Sequence, residues 1–528
     1  MNTAYTVLII LAVIYAPIWV WVWRNPEKAE RYHLCKYGPC IMIRTQLGMK
    51  TMDRLAKYPR FWSAFGFFSK VVSAVLFFLM MYMLVVALMA VPSRLASGSS
   101  IGIEYALAIP GFNPILPLSY GIVALLIAMV VHELGHGIQA RANGARVDSS
   151  GLLYGVVPLG AFVEPNEEDM SKKSRKAQLD MYTAGISVNT VVAVMSILLL
   201  FGACGMITTD YEDDAGVYRV DADSPAIAAG IPASAIIKGF SEGPEWVDNA
   251  YTTIDGKQVS TDMPGGLDPI KQYYVHYIYK GEQKTTEKPV QMGVYIRTLS
   301  TDAPAINSGI KVGTFLYGFI HNGETVRVSS VEGFLNQMSE FAPGTQVKVL
   351  TVPVVGDVTG LVPDEHDVTL SDRNGKAFIG MSVSTGGMTF TTPGLVKDTA
   401  ANPFYGATGA YSYVTSFFSY ISGPFNGSDP IPDDLKWWYD VPVGELFWMA
   451  LSLLYWIFWL DILLAISNAL PAYPFDGGFI FAGAINWLCE KFGIKDEERR
   501  TKITDSVSGS VSNVVLFVFL IVIVSFVI

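Results

Sequence analysis

The 528-residue chain has few charges for its length: 16% of its residues are charged and 51% are hydrophobic, whereas a soluble protein has about 25% charged residues. This composition excludes a purely cytosolic enzyme. The net charge of −10 argues against a nucleic-acid partner, because binding to phosphates depends on an excess of lysine and arginine. The apolar residues are gathered in long stretches, which indicates that part of the chain lies in a lipid bilayer.

Six stretches are apolar and long enough to cross a bilayer, for which a helix needs about 20 residues. They are 4–23, 71–91, 118–140, 182–207, 446–470 and 507–528. The first has no basic residue before it and no small-residue cleavage site after it, so it is expected to be a retained anchor. The predicted fold class is a polytopic α-helical membrane protein with about six transmembrane helices.

Lysine and arginine indicate the orientation, because they collect in the loops that stay cytoplasmic. Residues 24–70 contain ten of them, residues 141–176 six and residues 491–502 five. These three loops alternate with the six spans, so both termini are predicted to face outward. Lys70, at the end of the first basic loop, is expected to extend its ammonium group to the inner membrane surface.

The long hydrophilic stretch 207–437 has a net charge of −12, and the rest of the chain has +2. Its short alternating runs, interrupted by glycine, proline and asparagine, are typical of strands and turns. The sequence therefore predicts an acidic extracytoplasmic α+β region inserted between the fourth and fifth spans.

An internal repeat divides this region. Ser-Pro-Ala-Ile-Ala-Ala-Gly-Ile at 224–231 returns as Ala-Pro-Ala-Ile-Asn-Ser-Gly-Ile at 303–310, an offset of 79 residues, which indicates tandem small domains. Both segments resemble PDZ domains of bacterial-type proteases. Phe-Ile-Gly-Met at 378–381 is similar to the peptide-binding edge of that family, and Met-Gly-Val at 292–294 is its expected counterpart. The resemblance implies peptide ligands bound by strand addition; the alternative is a pair of β domains without a ligand.

Five domains follow from these patterns. The aromatic residues of the fourth are typical of a membrane–water interface. The predicted boundaries are 1–206 for an N-terminal membrane region with four spans, 207–296 and 297–390 for the two PDZ-like domains, 391–440 for an interfacial linker, and 441–528 for a C-terminal membrane region with two spans.

The third span continues into His132-Glu-Leu-Gly-His136. On a helix the two histidines lie one turn apart on the same face, so both imidazoles can bind one zinc ion with Glu133 beside it. Ionisable groups at membrane depth are costly unless they serve a function. A hydrolytic zinc site needs three protein ligands and one open position. Asp476, in a proline- and glycine-rich segment after the fifth span, is the candidate third ligand.

The histidine motif, followed far downstream by Asn-x-x-Pro-x-x-Pro-x-Asp-Gly at 468–477, resembles the site-2 protease family of intramembrane zinc metalloproteases. The resemblance implies that His132, His136 and Asp476 bind Zn²⁺ and that Glu133 activates water. It also implies transmembrane protein substrates, cleaved in the bilayer during regulated intramembrane proteolysis. The active site is then expected toward the cytoplasm of a multi-pass cell-membrane protein, with both termini and the PDZ-like region outside.

Other matches to the family leave alternatives open. Residues 151–164 resemble its membrane-associated β segment, in which Gly160 and Phe162 are candidate substrate contacts, or they form an ordinary amphipathic loop. Asn189 and Asn468 are further candidates for substrate binding, although Asn189 is equally suited to joining helices. Asp461, two turns before Asn468 on the same helix face, is a candidate proton route or partner of the site.

Two rival functions use the same residues. A membrane-anchored PDZ adaptor with an inactive protease core predicts no stoichiometric zinc, although every expected ligand is present. A metal transporter predicts several carboxylates or histidines along a path through the membrane, whereas the spans contain chiefly Asp461 besides the one cluster.

Overall fold

The computed structural model describes residues 3–97, 103–106, 110–156, 158–249, 266–426 and 429–527. The chain divides into two units. The helical unit comprises 1–202, 421–427 and 445–528, and the β-rich unit comprises 203–420 and 428–444.

The first part of the helical unit combines apolar helices with a small sheet, in which four antiparallel strands lie in the order β1-β2-β3-β4. The sheet segment at 151–164 was predicted, but the hairpin that pairs with it was not. In chain order the elements are α1 (Thr3–Arg24), α2 (Pro26–Glu30), β1 (Leu34–Tyr37), β2 (Cys40–Thr45), α3 (Met49–Leu55), α4 (Pro59–Ser97), α5 (Leu118–Ala142), β3 (Val147–Tyr154), β4 (Pro158–Pro165), α6 (Glu167–Ser171) and α7 (Arg175–Cys204).

The β-rich unit contains the strands that the alternating runs predict, and ten of them form one continuous path, β14-β13-β11-β10-β17-β18-β5-β6-β7-β8. The elements are β5 (Ala215–Val220), α8 (Pro225–Ala228), β6 (Ile236–Ser241), β7 (Gln272–Tyr279), β8 (Glu282–Thr285), β9 (Val290–Gln291), β10 (Val294–Leu299), α9 (Pro304–Asn307), β11 (Thr314–His321), β12 (Glu324–Arg327), α10 (Val331–Glu340), β13 (Gln346–Pro353), β14 (Asp364–Thr369), β15 (Ser371–Arg373), β16 (Lys376–Phe378), β17 (Met381–Thr385), β18 (Met388–Thr391), α11 (Pro393–Ala401) and α12 (Ala410–Ile421). The segment expected to be an interfacial linker thus contains two helices.

The helical unit ends with α13 (Glu445–Asn468), α14 (Asp476–Lys491) and α15 (Glu497–Val527). Within the described residues, five helices are long and apolar enough to cross a membrane, namely α4, α5, α7, α13 and α15. The apolar part of α1 is shorter, Ile9–Arg24. The structure therefore fits a multi-pass membrane protein with an inserted β-rich unit, and a count of six spans stays a prediction.

The two repeats share one pattern of backbone hydrogen bonds. In the second repeat, the amide of Ala305 donates to the carbonyl of Ile379 at 3.0 Å. In the first, the amide of Ala226, 79 residues earlier, donates to the carbonyl of Gly386 at 3.1 Å. Gly386 therefore occupies in the first repeat the place of Ile379 in the second. The expected counterpart, Met-Gly-Val at 292–294, is wrong.

The strand order explains this correction. β18 pairs with β5 in the first repeat as β17 pairs with β10 in the second. The strand that completes the first repeat therefore follows the second repeat in the chain. At the junction the amide of Gly386 donates to the carbonyl of Gly293 at 2.9 Å. We propose that residues 294–385 form a domain inserted into the first repeat, in place of the tandem boundaries 207–296 and 297–390.

Deletion of residues 294–385, with Gly293 joined to Gly386 by a short glycine linker, should leave the first repeat folded because its ends already meet. Limited proteolysis and near-UV circular dichroism of this variant, with the rest of the chain intact, would measure whether the first repeat is folded. The control removes 297–390, the second repeat as the sequence delimits it, and with it most of β18. That deletion should unfold the first repeat, and equal resistance of the two variants to proteolysis would contradict the insertion.

Candidate metal centre

Helix α5 carries His132, Glu133 and His136 in its C-terminal half. Because residues four apart lie on one helix face, the two imidazoles point the same way, and their Nε2 atoms are 3.1 Å apart. Both residues are buried, with 6% and 9% of their surface exposed. Two nitrogen donors are thus fixed side by side in the interior of the helical unit.

Asp476 reaches the same point from the other end of the chain. Helix α13 ends at Asn468, an irregular segment follows, and α14 begins at Asp476. A Cβ at Gly477 would lie 2.5 Å from the carbonyl carbon of Ala469, so glycine is required for this turn to fold tightly. The Asp476 Oδ2 atom lies 3.2 Å from His132 Nε2 and 3.3 Å from His136 Nε2.

These three atoms fit a zinc ion. Ligands about 2.0–2.1 Å from a tetrahedral zinc are about 3.3 Å apart, close to the separations between the three atoms. The buried Asp476 Oδ2 has no hydrogen-bond partner among the described residues, and a cation would satisfy it. Among the described residues, His132, His136 and Asp476 are the cluster of histidine, cysteine or carboxylate side chains that could hold a metal ion.

The second nitrogen of His136 is held by the main chain of α7. His136 Nδ1 lies 2.8 Å from the carbonyl oxygen of Met181. When Nδ1 donates to this oxygen, the lone pair of Nε2 is directed at the metal position, as is usual for metal-binding histidines.

Glu133 faces the small sheet. Its Oε2 accepts a hydrogen bond of 2.9 Å from the amide of Val163 in β4. The carboxylate is therefore held at the edge of the sheet, one residue from a metal ligand. Val163 and Met181 were not predicted, because each contributes a main-chain group, which leaves no signal in the sequence.

Gly185 allows α7 to approach the histidines. A Cβ at this position would lie 2.8 Å from His132 Nε2 and still closer to His136 Nε2, so any side chain would displace an imidazole. Asn189 follows one turn later and is fully buried. Neither its amide nitrogen nor its oxygen has a hydrogen-bond partner among the described residues.

The other predicted residues are not joined to the three ligands. Gly160 and Phe162 lie on β4, where Phe162 pairs with Gly151. Asn468 donates to the carbonyl of Leu464 in its own helix at 3.0 Å. Asp461 is fully buried in α13, and its carboxylate oxygens have no hydrogen-bond partner within the described part of the chain.

The ammonium group of Lys70 forms an ion pair with the buried carboxylate of Asp180. Its expected extension to the inner membrane surface stays a prediction.

Two histidines and a glutamate on a membrane-length helix, met by an aspartate from α14, are the arrangement expected of a membrane metallopeptidase. Residues 120–503 match the model of peptidase family M50. Because the match extends over well more than half of the chain, the protein belongs to this family, that of the site-2 proteases. Its five membrane-length helices within the described residues fit a multi-pass membrane protein.

Two curated relatives are similar to parts of this chain. An uncharacterized protein of Methanocaldococcus jannaschii is 33% identical over 202 residues, which are 38% of this chain and 52% of the relative. A membrane-bound transcription factor site-2 protease homolog of Arabidopsis thaliana is 25% identical over 122 residues, 22% of this chain and 24% of the relative. The chain thus spans about half and about a quarter of the lengths of these relatives.

Substitution of Gly185 by alanine should reduce metal affinity by at least about 10–100-fold, the usual cost of disturbing the residues that orient metal ligands, because the new methyl group would push against both imidazoles. Competition with a chelator would measure the affinity. Gly202→Ala is the matched control, since it lies on the same helix and a Cβ there meets open space. Equal affinities in the two variants would contradict the close approach.

Proposed function

We propose that this protein is an intramembrane zinc metalloprotease that hydrolyses peptide bonds within transmembrane segments of membrane proteins, in regulated intramembrane proteolysis. The observation that carries the proposal is the convergence of His132, His136 and Asp476 beside Glu133, at the edge of β4, in a unit of membrane-length helices. The Arabidopsis relative, named as a site-2 protease homolog, supports the same activity.

The metal ligands are proposed to be His132, His136 and Asp476, and the metal to be Zn²⁺. Two imidazoles and one carboxylate are ligands that zinc prefers in catalytic sites, where a fourth position stays open. When bound, zinc supplies Lewis acidity that favours water deprotonation and polarises a peptide carbonyl.

Glu133 is proposed as the general base and acid. Its carboxylate takes the proton of the attacking water and then delivers a proton to the leaving amine. The hydrogen bond from the Val163 amide to Oε2 fixes this side chain while leaving its second oxygen for the proton. The same contact ties the base to the strand along which the substrate is proposed to lie.

The free edge of β4 is proposed to bind the substrate as an added strand. Along a strand, successive residues direct their backbone groups to opposite sides. Since the Val163 amide faces Glu133, the backbone groups of Ala161 also face outward, and those of Gly160 and Phe162 face β3. Phe162 therefore stays a predicted substrate contact through its side chain, and Gly160 only by leaving its face of the strand open. Ala161 and Val163 are proposed to supply the main-chain edge.

Asn189 is proposed to donate a hydrogen bond to the scissile carbonyl. A buried amide without partners is costly, and a peptide carbonyl beside the metal ligands would relieve that cost. Asn468 is proposed as a second contact, although its amide nitrogen already bonds within α13.

The remaining proposals concern topology and partners. The three basic loops support placement of both termini and the β-rich unit outside the cell membrane, with the site toward the cytoplasm. The repeats are proposed as PDZ-like domains that bind extended peptides or exclude bulky ectodomains. If the purified protein had neither zinc nor cleavage activity, a membrane-anchored adaptor with an inactive core would be favoured instead.

Glu133→Gln should keep stoichiometric zinc and reduce the cleavage rate by at least about 10²–10⁴-fold, the usual contribution of general acid–base catalysis. The amide retains the size of the carboxylate but does not accept the proton of water. Purified protein with a glycine-containing transmembrane reporter and metal analysis would test this. His132→Ala, which removes a proposed ligand, is the comparison that should lose both zinc and cleavage. Full activity of Glu133→Gln would contradict the proposed role of Glu133.

Ala161→Pro should raise the KM for the reporter, because proline removes an amide hydrogen that faces outward and that the ladder to β3 does not use. Ala161→Val keeps the hydrogen and is the matched control. Steady-state kinetics with intact zinc content would separate the two. An unchanged KM in the proline variant, with zinc retained, would argue against strand addition at β4.

A further inference from the structure

Three consecutive residues of α7 contact three different helices around the candidate metal centre. Asp180 pairs with Lys70 of α4, the carbonyl of Met181 meets His136 of α5, and Tyr182 stacks on Phe479 of α14. The rings of Tyr182 and Phe479 are 5.0 Å apart with planes inclined by 9°. Successive residues of a helix point about 100° apart, so this single turn of α7 is held from three sides.

The Asp180 contact with α4 is buried and close. The side chain of Asp180 is 2% exposed and that of Lys70 is 29% exposed. A Cβ at Gly66 would lie 2.5 Å from the Asp180 Cγ atom, so the α4 backbone passes directly over the carboxylate. Farther along α7, the hydroxyl of Ser187 donates to the carbonyl of Ser69 at 3.3 Å.

A buried ion pair is weak evidence for a contribution to stability, because desolvation of both charges offsets their attraction. What such a pair does supply is direction: among the described residues, Lys70 is the cation that forms an ion pair with the Asp180 carboxylate. Met181 follows Asp180 in the same turn, so its carbonyl moves with the carboxylate. The orientation of His136 depends in turn on that carbonyl.

We propose that Lys70 and Asp180 are positioning residues for the metal centre: their ion pair fixes the turn of α7 whose Met181 carbonyl orients His136. The inference rests on the proposed metalloprotease function. It assigns a role to a residue that precedes the segment matched by the family model, which begins at residue 120. Neither Lys70 nor Asp180 contacts the reacting atoms, so both act through α7.

The test compares Lys70→Met with Lys70→Arg in the purified full-length protein, with Lys502→Met as control. Lys502 forms an exposed ion pair with Glu498, and its loss should change nothing. Lys70→Met should weaken zinc affinity about 10–100-fold, as loss of an orienting partner does. It should also lower kcat at saturating zinc without raising KM. Lys70→Arg retains the charge and should recover at least half of the lost zinc affinity on a logarithmic scale.

The double variant Lys70→Met/Asp180→Asn separates positioning from folding. Replacing both charges leaves no uncompensated buried charge, so this protein should fold even if Lys70→Met alone were to unfold. It should still show the weakened zinc affinity. Normal zinc affinity in the folded double variant would overturn the proposal and leave the ion pair a purely structural contact.

The outcomes also distinguish this inference from the proposed function. If the parent protein binds zinc but cleaves no transmembrane reporter, protease activity fails, while the zinc affinities of the Lys70 variants still decide the positioning role. If the parent cleaves the reporter and Lys70→Met matches it in zinc affinity and kcat, the positioning role alone is wrong.

Discussion

The close approach of α7 to α5 at Gly185 is the contact on which the helical unit depends. It lets one helix lie directly against the imidazoles of His132 and His136, and the carbonyl of Met181, one turn earlier, fixes one of them. In a low-dielectric interior each polar group without a partner is costly. The same turn of α7 therefore has to serve packing and hydrogen bonding together, which small residues and main-chain groups make possible.

The position of Asp476 obeys a different constraint. Asp476 lies at the start of α14 after an irregular segment, and irregular backbone at membrane depth is tolerated where it is buried in protein. The stacking of Phe479 on Tyr182 joins the first turn of α14 to α7. The histidine pair and the aspartate are more than 300 residues apart. Both are thus positioned by contacts with the same turn of α7.

The candidate ligands and the proposed base could be predicted from the sequence because their chemistry resides in side chains with a short spacing or a conspicuous setting. His132, Glu133 and His136 stand out against uncharged spans, and Asp476 follows prolines that end a helix. Lys70 and Asp180 are 110 residues apart, and no local pattern links them. The sequence repeat predicted the 79-residue offset but not the path of the chain. The proposed insertion of the second repeat into the first depends on a four-residue strand, β18, and on its pairing with β5.

The order of strands in the small sheet places an edge strand beside Glu133. An unpaired strand edge is a template for further pairing, which proteins normally cover. Here the hairpin of β1 and β2 pairs with β3, and Arg44 of β2 reaches across β3 to Glu164 of β4 at 2.9 Å. β3 is consequently internal, and β4 is the edge strand that meets Glu133. Glu133 takes one amide of that edge, at Val163, so the part of the edge still open to pairing adjoins the group proposed to activate water.

Strand pairing would then do two things at once. It would replace the helical hydrogen bonds that a transmembrane substrate loses on unwinding, and it would place the exposed carbonyls next to the proposed metal ligands.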